Sequence, residues 1–236
     1  MKILVTNDDG INAPQLIPLA RWCQTLGDVT VVAPKVEQSG KSHGIEIHIP
    51  FEAKEIELAP DIKAYSVDST PADCVRFALF GLNLEFDLVI SGINRGYNLG
   101  NDINYSGTAS AACEACAQGI KALSFSTSPA YYDHAVSHMD QIFSYIKEKE
   151  LLSKNDLYNI NIPPQATQIR ITRQGGLYYS DDFTPVGNNM YQAVGKCVHK
   201  DTGDLTIDSD AVTHGYISIT PLTTNKTNIA VFEALK

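Results

Sequence analysis

Several features of other protein classes are missing from this 236-residue chain. It has no apolar run of about 18 residues that could span a membrane, and the apolar run before Asp8 is too short for a signal peptide. Its five cysteines are an odd number scattered along the chain, so they suggest no disulfide framework and suit a reducing compartment. We therefore expect a cytoplasmic protein with no membrane partner.

Excess positive charge is also missing. The net charge is −9 and the pI is about 5.0, so we expect no binding to nucleic-acid polymers, which are bound through clustered Lys and Arg. Neither the Gly-x-Ser-x-Gly elbow of serine hydrolases nor a P-loop lysine motif occurs. The hydrophobic content of 44% is ordinary for a globular protein with its own core.

The N-terminal part of the chain shows a β-α-β pattern. The apolar run Lys2–Thr6 predicts a buried strand, the stretch after Pro14 predicts a helix that ends at Gly27, and residues 29–33 predict a second strand. Such units build parallel sheets, and apolar runs at 86–90 and 121–126 continue the pattern. The fold class expected is therefore α/β with a mostly parallel sheet.

Other segments give more local predictions. The alternation in Ile45–Ile49 predicts an extended segment, and residues near 132–148 predict one helix. Thr70 followed by Pro71 predicts a helix start with Thr as N-cap. After about residue 175 the pattern changes to hairpin-like β segments, which indicates a C-terminal extension.

Asp8 and Asp9 follow the first predicted strand directly. A turn or helix cap needs one acid, whereas two adjacent carboxylates repel each other unless they share a proton or bind a cation. The pair therefore indicates either an ordinary turn or a metal site, and its neighbours decide between them.

Two further loops are expected at the same edge of the sheet. Residues 35–44, after the second strand, carry Ser39, Lys41 and His43, which either reach the site or belong to an ordinary surface loop. The polar stretch 91–108 contains Asn94 and ends in Ser106-Gly107-Thr108 at the start of a small-residue helix. That helix N-terminus favours an anion such as phosphate, although an ordinary Ser/Thr cap gives the same pattern.

Two pairs of possible metal ligands are less convincing. Cys113 and Cys116 form a Cys-x-x-Cys inside the small-residue helix, without the further ligands that zinc needs. His134 and His138 lie one helical turn apart without a matching acid, and we expect them at the surface.

The remaining candidates at this edge all offer oxygen. They are Asp8, Asp9, Ser39 and Asn94. Oxygen ligands suit a hard cation such as Mg²⁺ or Mn²⁺. A hard cation facing an anion-binding helix end is what hydrolysis of a phosphoester requires.

Five motifs in order resemble the SurE family of metal-dependent 5′-nucleotidases. They are Thr-Asn-Asp-Asp-Gly at 6–10, Gln-Ser-Gly at 38–40, Thr-Pro-Ala-Asp-Cys-Val at 70–75, Ser-Gly-Ile-Asn-Arg-Gly at 91–96 and Tyr-Ser-Gly-Thr at 105–108. The resemblance continues through Asn-Ile-Asn-Ile-Pro-Pro at 159–164 and residues 215–222, and so covers nearly the whole chain.

This resemblance implies a Rossmann-like, three-layer α/β/α core over residues 1–175. A β-rich extension, 176–236, would pack back on the core and be exchanged between subunits of a homodimer or homotetramer. The implied reaction is hydrolysis of nucleoside 5′-monophosphates to nucleoside and phosphate, with 3′-monophosphates and short polyphosphate open as further substrates. It needs one divalent cation per subunit, Mg²⁺ or Mn²⁺.

The resemblance also implies residue roles. The cation ligands would be Asp8, Asp9, Ser39 and Asn94. The phosphate contacts would be Asn98, Ser106, Gly107 and Thr108. One of the two aspartates would be the catalytic base, and Lys41 or His43 would be a candidate acid for the leaving oxygen.

Some positions depart from the family pattern. Asn101, Ser69 and Lys121 stand where Asp, Gly and Pro are usual, and residues 180–210 match least, which leaves nucleobase preference open. Two other functions remain as alternatives. A phosphoaspartate-forming phosphatase would want a catalytic Lys and two acids separated by one residue, whereas here they are adjacent. A non-catalytic metal- or nucleotide-binding module would bind without releasing phosphate.

Overall fold

The computed structural model describes residues 1–236, and eleven strands form two sheets. The strands are β1 (Lys2–Thr6), β2 (Asp28–Pro34), β3 (Ala53–Ala59), β4 (Ile62–Val67), β5 (Leu88–Arg95), β6 (Lys121–Thr127), β7 (Leu157–Ile162), β8 (Gln168–Ile171), β9 (Tyr179–Gly187), β10 (Met190–Cys197) and β11 (Tyr216–Pro221). The main sheet has the order β3-β4-β2-β1-β5-β6-β7-β11-β8. The strands from β4 to β7 in this order are parallel, and β3 and β11 run antiparallel to their neighbours β4 and β7.

Eight helices accompany the strands. They are α1 (Leu16–Gln24), α2 (Pro71–Arg76), α3 (Gly107–Ala117), α4 (Tyr132–Ser137), α5 (Met139–Glu148), α6 (Leu151–Lys154), α7 (Asp208–Thr213) and α8 (Ile229–Leu235). A π-helical turn, Phe77–Gly81, extends α2, and a 3₁₀ turn, Gly100–Asn104, precedes α3. None of the helices has the length and apolar character needed to cross a membrane.

The sheet is covered on both faces, because successive side chains of a strand point to opposite sides. In β1, Ile3 and Val5 belong to one apolar cluster with α1 and α5, while Leu4 belongs to another with α2 and α3. All three side chains are fully buried. The predicted three-layer, mostly parallel α/β fold is therefore confirmed, with β1 at its centre.

The C-terminal part returns to the core before the chain ends. β11 lies in the main sheet between β7 and β8. In contrast, β9 and β10 pair only with each other and form a separate hairpin. The division at residue 175 stays a prediction.

Two local predictions were wrong. Ile45–Ile49 forms no strand, because the Glu46 carboxylate accepts hydrogen bonds from the backbone N–H groups of His48 and Ile49 and so holds the chain in a local turn. The helix expected near 132–148 is two helices that meet at His138, whose ring nitrogen Nδ1 lies 2.9 Å from the backbone oxygen of His134. The Thr70 cap is confirmed, since its hydroxyl accepts a hydrogen bond from Asp73 N.

Candidate active site

The turn after β1 is rigid. The Asn7 side chain donates a hydrogen bond to Gly10 O and accepts one from Gly10 N, at 3.0 and 3.1 Å. The backbone oxygen of Asp8 accepts a hydrogen bond from Gln38 N at 2.7 Å. The loop after β2 is therefore fastened to the turn that carries the two aspartates.

Asp8 is buried against the N-terminus of α3. Its carboxylate oxygen Oδ1 accepts a hydrogen bond from the Thr108 hydroxyl. Burial raises the pKa of Asp8, and the contacts with Thr108 and the backbone N–H of Gly107 lower that pKa in part. The side chain is only 3% exposed, so Asp8 is an anchored group.

Asp9 is only half-buried. Its Oδ2 accepts hydrogen bonds from the Gln15 side chain and, at 3.0 Å, from Arg95 N at the end of β5. Burial, with the charge of the adjacent Asp8, raises the pKa of Asp9 to about 6. The two neighbouring acids therefore have different environments, and sequence alone did not show which would be more accessible.

Ser39 lies on the loop after β2 and is exposed. Its hydroxyl donates to Glu37 Oε1 at 2.7 Å, and the same carboxylate is held by Arg95 at 3.0 Å. The Ser39 oxygen keeps its lone pairs for another partner. Glu37 and Arg95 were not predicted as site residues, and their types alone did not distinguish them from surface charges.

Asn94 lies at the end of β5, the strand beside β1. Its side-chain nitrogen donates to Gly96 O at 2.8 Å, and its side-chain oxygen makes no hydrogen bond within the chain. The ends of β1 and β5 are neighbours in the sheet, with Thr6 paired to Ser91. The prediction of Asn94 at this edge agrees with that topology.

The N-terminus of α3 carries three of the predicted phosphate contacts. Ser106 is its N-cap, with the hydroxyl accepting a hydrogen bond from Ala109 N at 2.9 Å. Gly107 packs so closely on Asp8 that a Cβ at this position would lie 2.7 Å from Asp8 Cβ. The structure therefore brings Gly107 and Thr108 directly to the aspartate pair.

Asn98 is buried behind this edge. Its side-chain nitrogen donates to Ser126 Oγ at 2.9 Å, and its backbone oxygen accepts from the side chains of Asn159 and Asn161 at 2.8 and 3.0 Å. Asn98 is 5% exposed, so as placed it braces the loop. Asn159 and Asn161, which brace it, belong to the motif at 159–164, for which no role was predicted.

His43 is engaged elsewhere. Its Nε2 lies 2.8 Å from Glu114 Oε2, and Arg76 contacts the other carboxylate oxygen at 3.0 Å. The hydrogen bond from His43, with those from Gln118 and Arg76, lowers the pKa of Glu114 to about 2. The structure thus places His43 in a hydrogen bond with Glu114 on α3, two turns from the helix N-terminus. Lys41 is exposed on the loop.

A crevice of about 550 Å³ opens beside Asp9, lined also by Asn12, Glu37, Arg95 and Tyr132. It lies beyond the carboxyl ends of β1 and β5, where the strand order reverses, the usual ligand position in open α/β sheets. A cavity of about 710 Å³ lies at the opposite end of the strands beside Lys2 and holds no predicted site residue.

The donor set fits a hard divalent cation. Asp8 and Asp9 raise each other's energy when both are charged, and a cation between them would remove that repulsion. Two neutral oxygens lie at the same edge and could complete the donor set. They are the side-chain oxygen of Asn94, which makes no hydrogen bond within the chain, and the hydroxyl of Ser39.

Comparison with known proteins gives one consistent result. A family model described as survival protein SurE matches residues 3–181. Proteins named 5′-nucleotidase SurE from Petrotoga mobilis and Geotalea uraniireducens are 36% and 40% identical, each covering 100% of this chain and 98% of the relative. The crystal structure of a SurE protein from Aquifex aeolicus matches with a TM-score of 0.81 and 32% identity, over 100% of this chain and 98% of that chain. These matches agree with the resemblance carried by the motifs.

Proposed function

Because this chain belongs to the SurE family, we infer that it is a 5′-nucleotidase, the activity named for its curated relatives. We propose that it uses one divalent cation per subunit, Mg²⁺ or Mn²⁺, to hydrolyse nucleoside 5′-monophosphates to nucleoside and phosphate. The single observation that carries this proposal is the position of Asp8 and Asp9, which lie at the carboxyl end of β1 with Asp8 against the N-terminus of α3.

The proposed cation ligands are Asp8, Asp9, Ser39 and Asn94. When bound, the cation would orient and activate the attacking water and neutralise charge on the phosphoryl group. Asp8 suits a fixed ligand, because it is buried and held by Thr108. To bind the cation, the Ser39 hydroxyl would turn away from Glu37. The hydrogen bond that it gives up is weak, because both groups are exposed.

The proposed phosphate contacts are at the N-terminus of α3. Ser106, Gly107 and Thr108 offer backbone N–H groups and hydroxyls at a helix end that favours negative charge. The same helix end already interacts with the Asp8 carboxylate. Contacts with Thr108 and Gly107 lower the pKa of Asp8, although the larger effect of burial raises it overall. Asn98 supports the same loop from behind, and to contact phosphate its side-chain nitrogen, the donor of the amide, would turn from Ser126 Oγ.

Asp9 is the proposed catalytic base. It is half-buried, and its Oδ1 makes no hydrogen bond within the chain. As the water oxygen bonds to phosphorus and the bond from phosphorus to the ribose oxygen breaks, Asp9 accepts the proton that the water loses. The ribose oxygen leaves with a proton, for which the exposed Lys41 is the candidate donor. The nucleoside would occupy the crevice beside Asp9, whose volume of about 550 Å³ is in the range of small-molecule sites.

We also propose a homodimer or homotetramer built through the C-terminal segment. On the β9–β10 hairpin, Phe183 and Tyr191 are 69% and 66% exposed, and Phe232 on α8 is 53% exposed. Monomeric proteins rarely expose several large apolar side chains on one element, which supports exchange of this segment between subunits. The five unpaired cysteines support a cytoplasmic location.

The test is phosphate release from 5′- and 3′-nucleoside monophosphates by EDTA-stripped protein with Mg²⁺, Mn²⁺ or no metal restored. We expect metal-dependent release, lost in Asp9→Asn, which removes the charge and little volume. Asp28→Asn is the matched control, because Asp28 is exposed at the amino end of β2. Binding of metal and nucleotide without release from the folded wild-type protein would instead indicate a binding module.

A further inference from the structure

The polar loop between β5 and α3 needs to be held in place if it is to bind phosphate. This loop, residues 96–106, is called the phosphate loop below, and this inference rests on the proposed phosphate site. One set of hydrogen bonds that holds it joins Asn98 to Asn159 and Asn161 on β7. A second set comes from the C-terminal part of the chain.

Asp208, the first residue of α7, is fully buried and contacts the phosphate loop directly. Its Oδ2 accepts a hydrogen bond from Gly100 N at 2.9 Å. Its Oδ1 accepts hydrogen bonds from Gly175 N and Ser209 N, both at 2.8 Å. The nearby His199 contacts Asp210 rather than Asp208, so the Asp208 carboxylate makes its direct hydrogen bonds to backbone N–H groups.

The contact around Gly100 is close and specific. Gly100 O accepts a hydrogen bond from the Gln174 side chain at 2.8 Å, and Gly176 O accepts one from Asn101 N at 2.9 Å. Gly100 has φ +52°, and a Cβ there would lie 2.0 Å from Gly176 O. The two backbones therefore pass each other in direct contact, which only glycine allows at this position.

A buried carboxylate without a cationic partner is costly, and an apolar side chain could fill the same volume. What the carboxylate offers is two acceptor oxygens that bond three N–H groups from three segments at once. One of those segments leads from Gly100 to Ser106 and the N-terminus of α3. Asp208 thus joins the start of α7 to Gly100 and Gly175, beside the direct contacts of Gly100 and Asn101 with Gln174 and Gly176.

We propose that Asp208 is a positioning residue for the phosphate site, fixing the phosphate loop at Gly100 so that Asn98 and Ser106 are held ready for a phosphoryl group. The segment that follows β8 is therefore part of the catalytic unit and does more than extend the chain. Asp208 lies outside the cation ligands, so its loss separates phosphate binding from cation binding.

The test uses inorganic phosphate and Mn²⁺ as separate probes on the full-length protein. In Asp208→Asn, the amide nitrogen would face one of the N–H donors, so one of the hydrogen bonds that hold the loop is lost. We expect the KM for a nucleoside monophosphate and the dissociation constant of inorganic phosphate to rise about tenfold. The kcat and the Mn²⁺ affinity by calorimetry should stay within about twofold, since the loop binds ground and transition states alike.

The matched control is Asp210→Asn. Asp210 is equally buried on α7, but its Oδ2 bonds Thr202 N and Asp204 N, its Oδ1 lies 3.1 Å from His199 Nε2, and neither oxygen bonds the phosphate loop. Both variants should lose stability, and only Asp208→Asn should lose phosphate affinity. Equal phosphate affinity in the two folded variants would overturn the proposal.

A milder variant guards against failure to fold. Gln174→Ala removes only the bond to Gly100 O from an exposed side chain, so it should fold and raise the phosphate dissociation constant about threefold. An unchanged constant in Gln174→Ala, together with an unfolded Asp208→Asn, would also count against the proposal. Absence of turnover in the wild type would refute the nucleotidase function instead, and the phosphate-binding comparison would still test the role of Asp208.

Discussion

Replacing Asp9 by Asn should stabilise the metal-free protein at neutral pH although it abolishes activity. Aspartate has an ordinary pKa of 3.8, which burial and the adjacent Asp8 raise to about 6 in Asp9. A difference of that size, at about 1.4 kcal/mol for each pKa unit, corresponds to roughly 3 kcal/mol against the charged form. Because Asp9 is half-buried and water screens part of the repulsion, we expect about 1 to 2 kcal/mol.

The sign of the effect fixes its pH window. A carboxyl whose pKa is higher in the folded than in the unfolded state destabilises the fold increasingly as pH rises from about 4 to 6. The stability gained in Asp9→Asn should therefore be fully present at pH 7.5 and absent at pH 3.5. Urea unfolding in EDTA at these two values measures it directly.

The outcome has two internal controls. Adding Mn²⁺ should stabilise the wild type at pH 7.5 and should have a much smaller effect on Asp9→Asn, because the cation would neutralise the same repulsion. Asp28→Asn should show neither change, since Asp28 is exposed at the far end of β2. Equal stability of wild type and Asp9→Asn in EDTA at pH 7.5 would refute the electrostatic reasoning.

Two further predictions follow from close contacts. Gly107→Ala places a Cβ 2.7 Å from Asp8 Cβ, so Asp8 must shift. Nucleotidase activity should therefore fall by about tenfold or more, and calorimetry should show a weaker Mn²⁺ affinity. An active variant with normal Mn²⁺ affinity would contradict this packing. Glu114→Gln should lower the free energy of unfolding by about 1 to 2 kcal/mol at pH 7, because His43 and Arg76 hold the pKa of Glu114 at about 2. This loss should shrink as pH falls from about 4.5 towards 2. Urea unfolding at pH 7 and pH 3 tests this, and a pH-independent loss would show that packing dominates.

The central strands of the sheet were predictable because they are buried on both faces. Ile3 and Val5 pack on one side and Leu4 on the other, and such a short apolar run closed by polar residues leaves few alternatives. The same reasoning placed Asp8, Asp9 and Asn94 at one edge, since parallel strands end together. Local patterns therefore sufficed wherever burial determined the structure.

Prediction from sequence failed where the hydrogen bonds of one side chain override the hydrophobic pattern. Ile45–Ile49 alternates as a strand would, yet the Glu46 carboxylate bonds the backbone of the next residues and prevents pairing. Asp208 gave no signal either, because its partners Gly100 and Gly175 are far from it in the chain. These two contacts form only when the folded chain brings distant segments together.

The different roles proposed for the two adjacent aspartates rest on the fold and not on the motif. Asp8 and Asp9 are chemically identical, but the Thr108 hydroxyl and the close approach of Gly107 fix Asp8 in a buried position. Asp9 keeps one carboxylate oxygen without a hydrogen bond and borders the crevice. A ligand must be fixed to hold a cation in one place, whereas a base needs access to the water that it deprotonates. The environments therefore favour Asp8 as the anchoring ligand and Asp9 as the group that takes the proton.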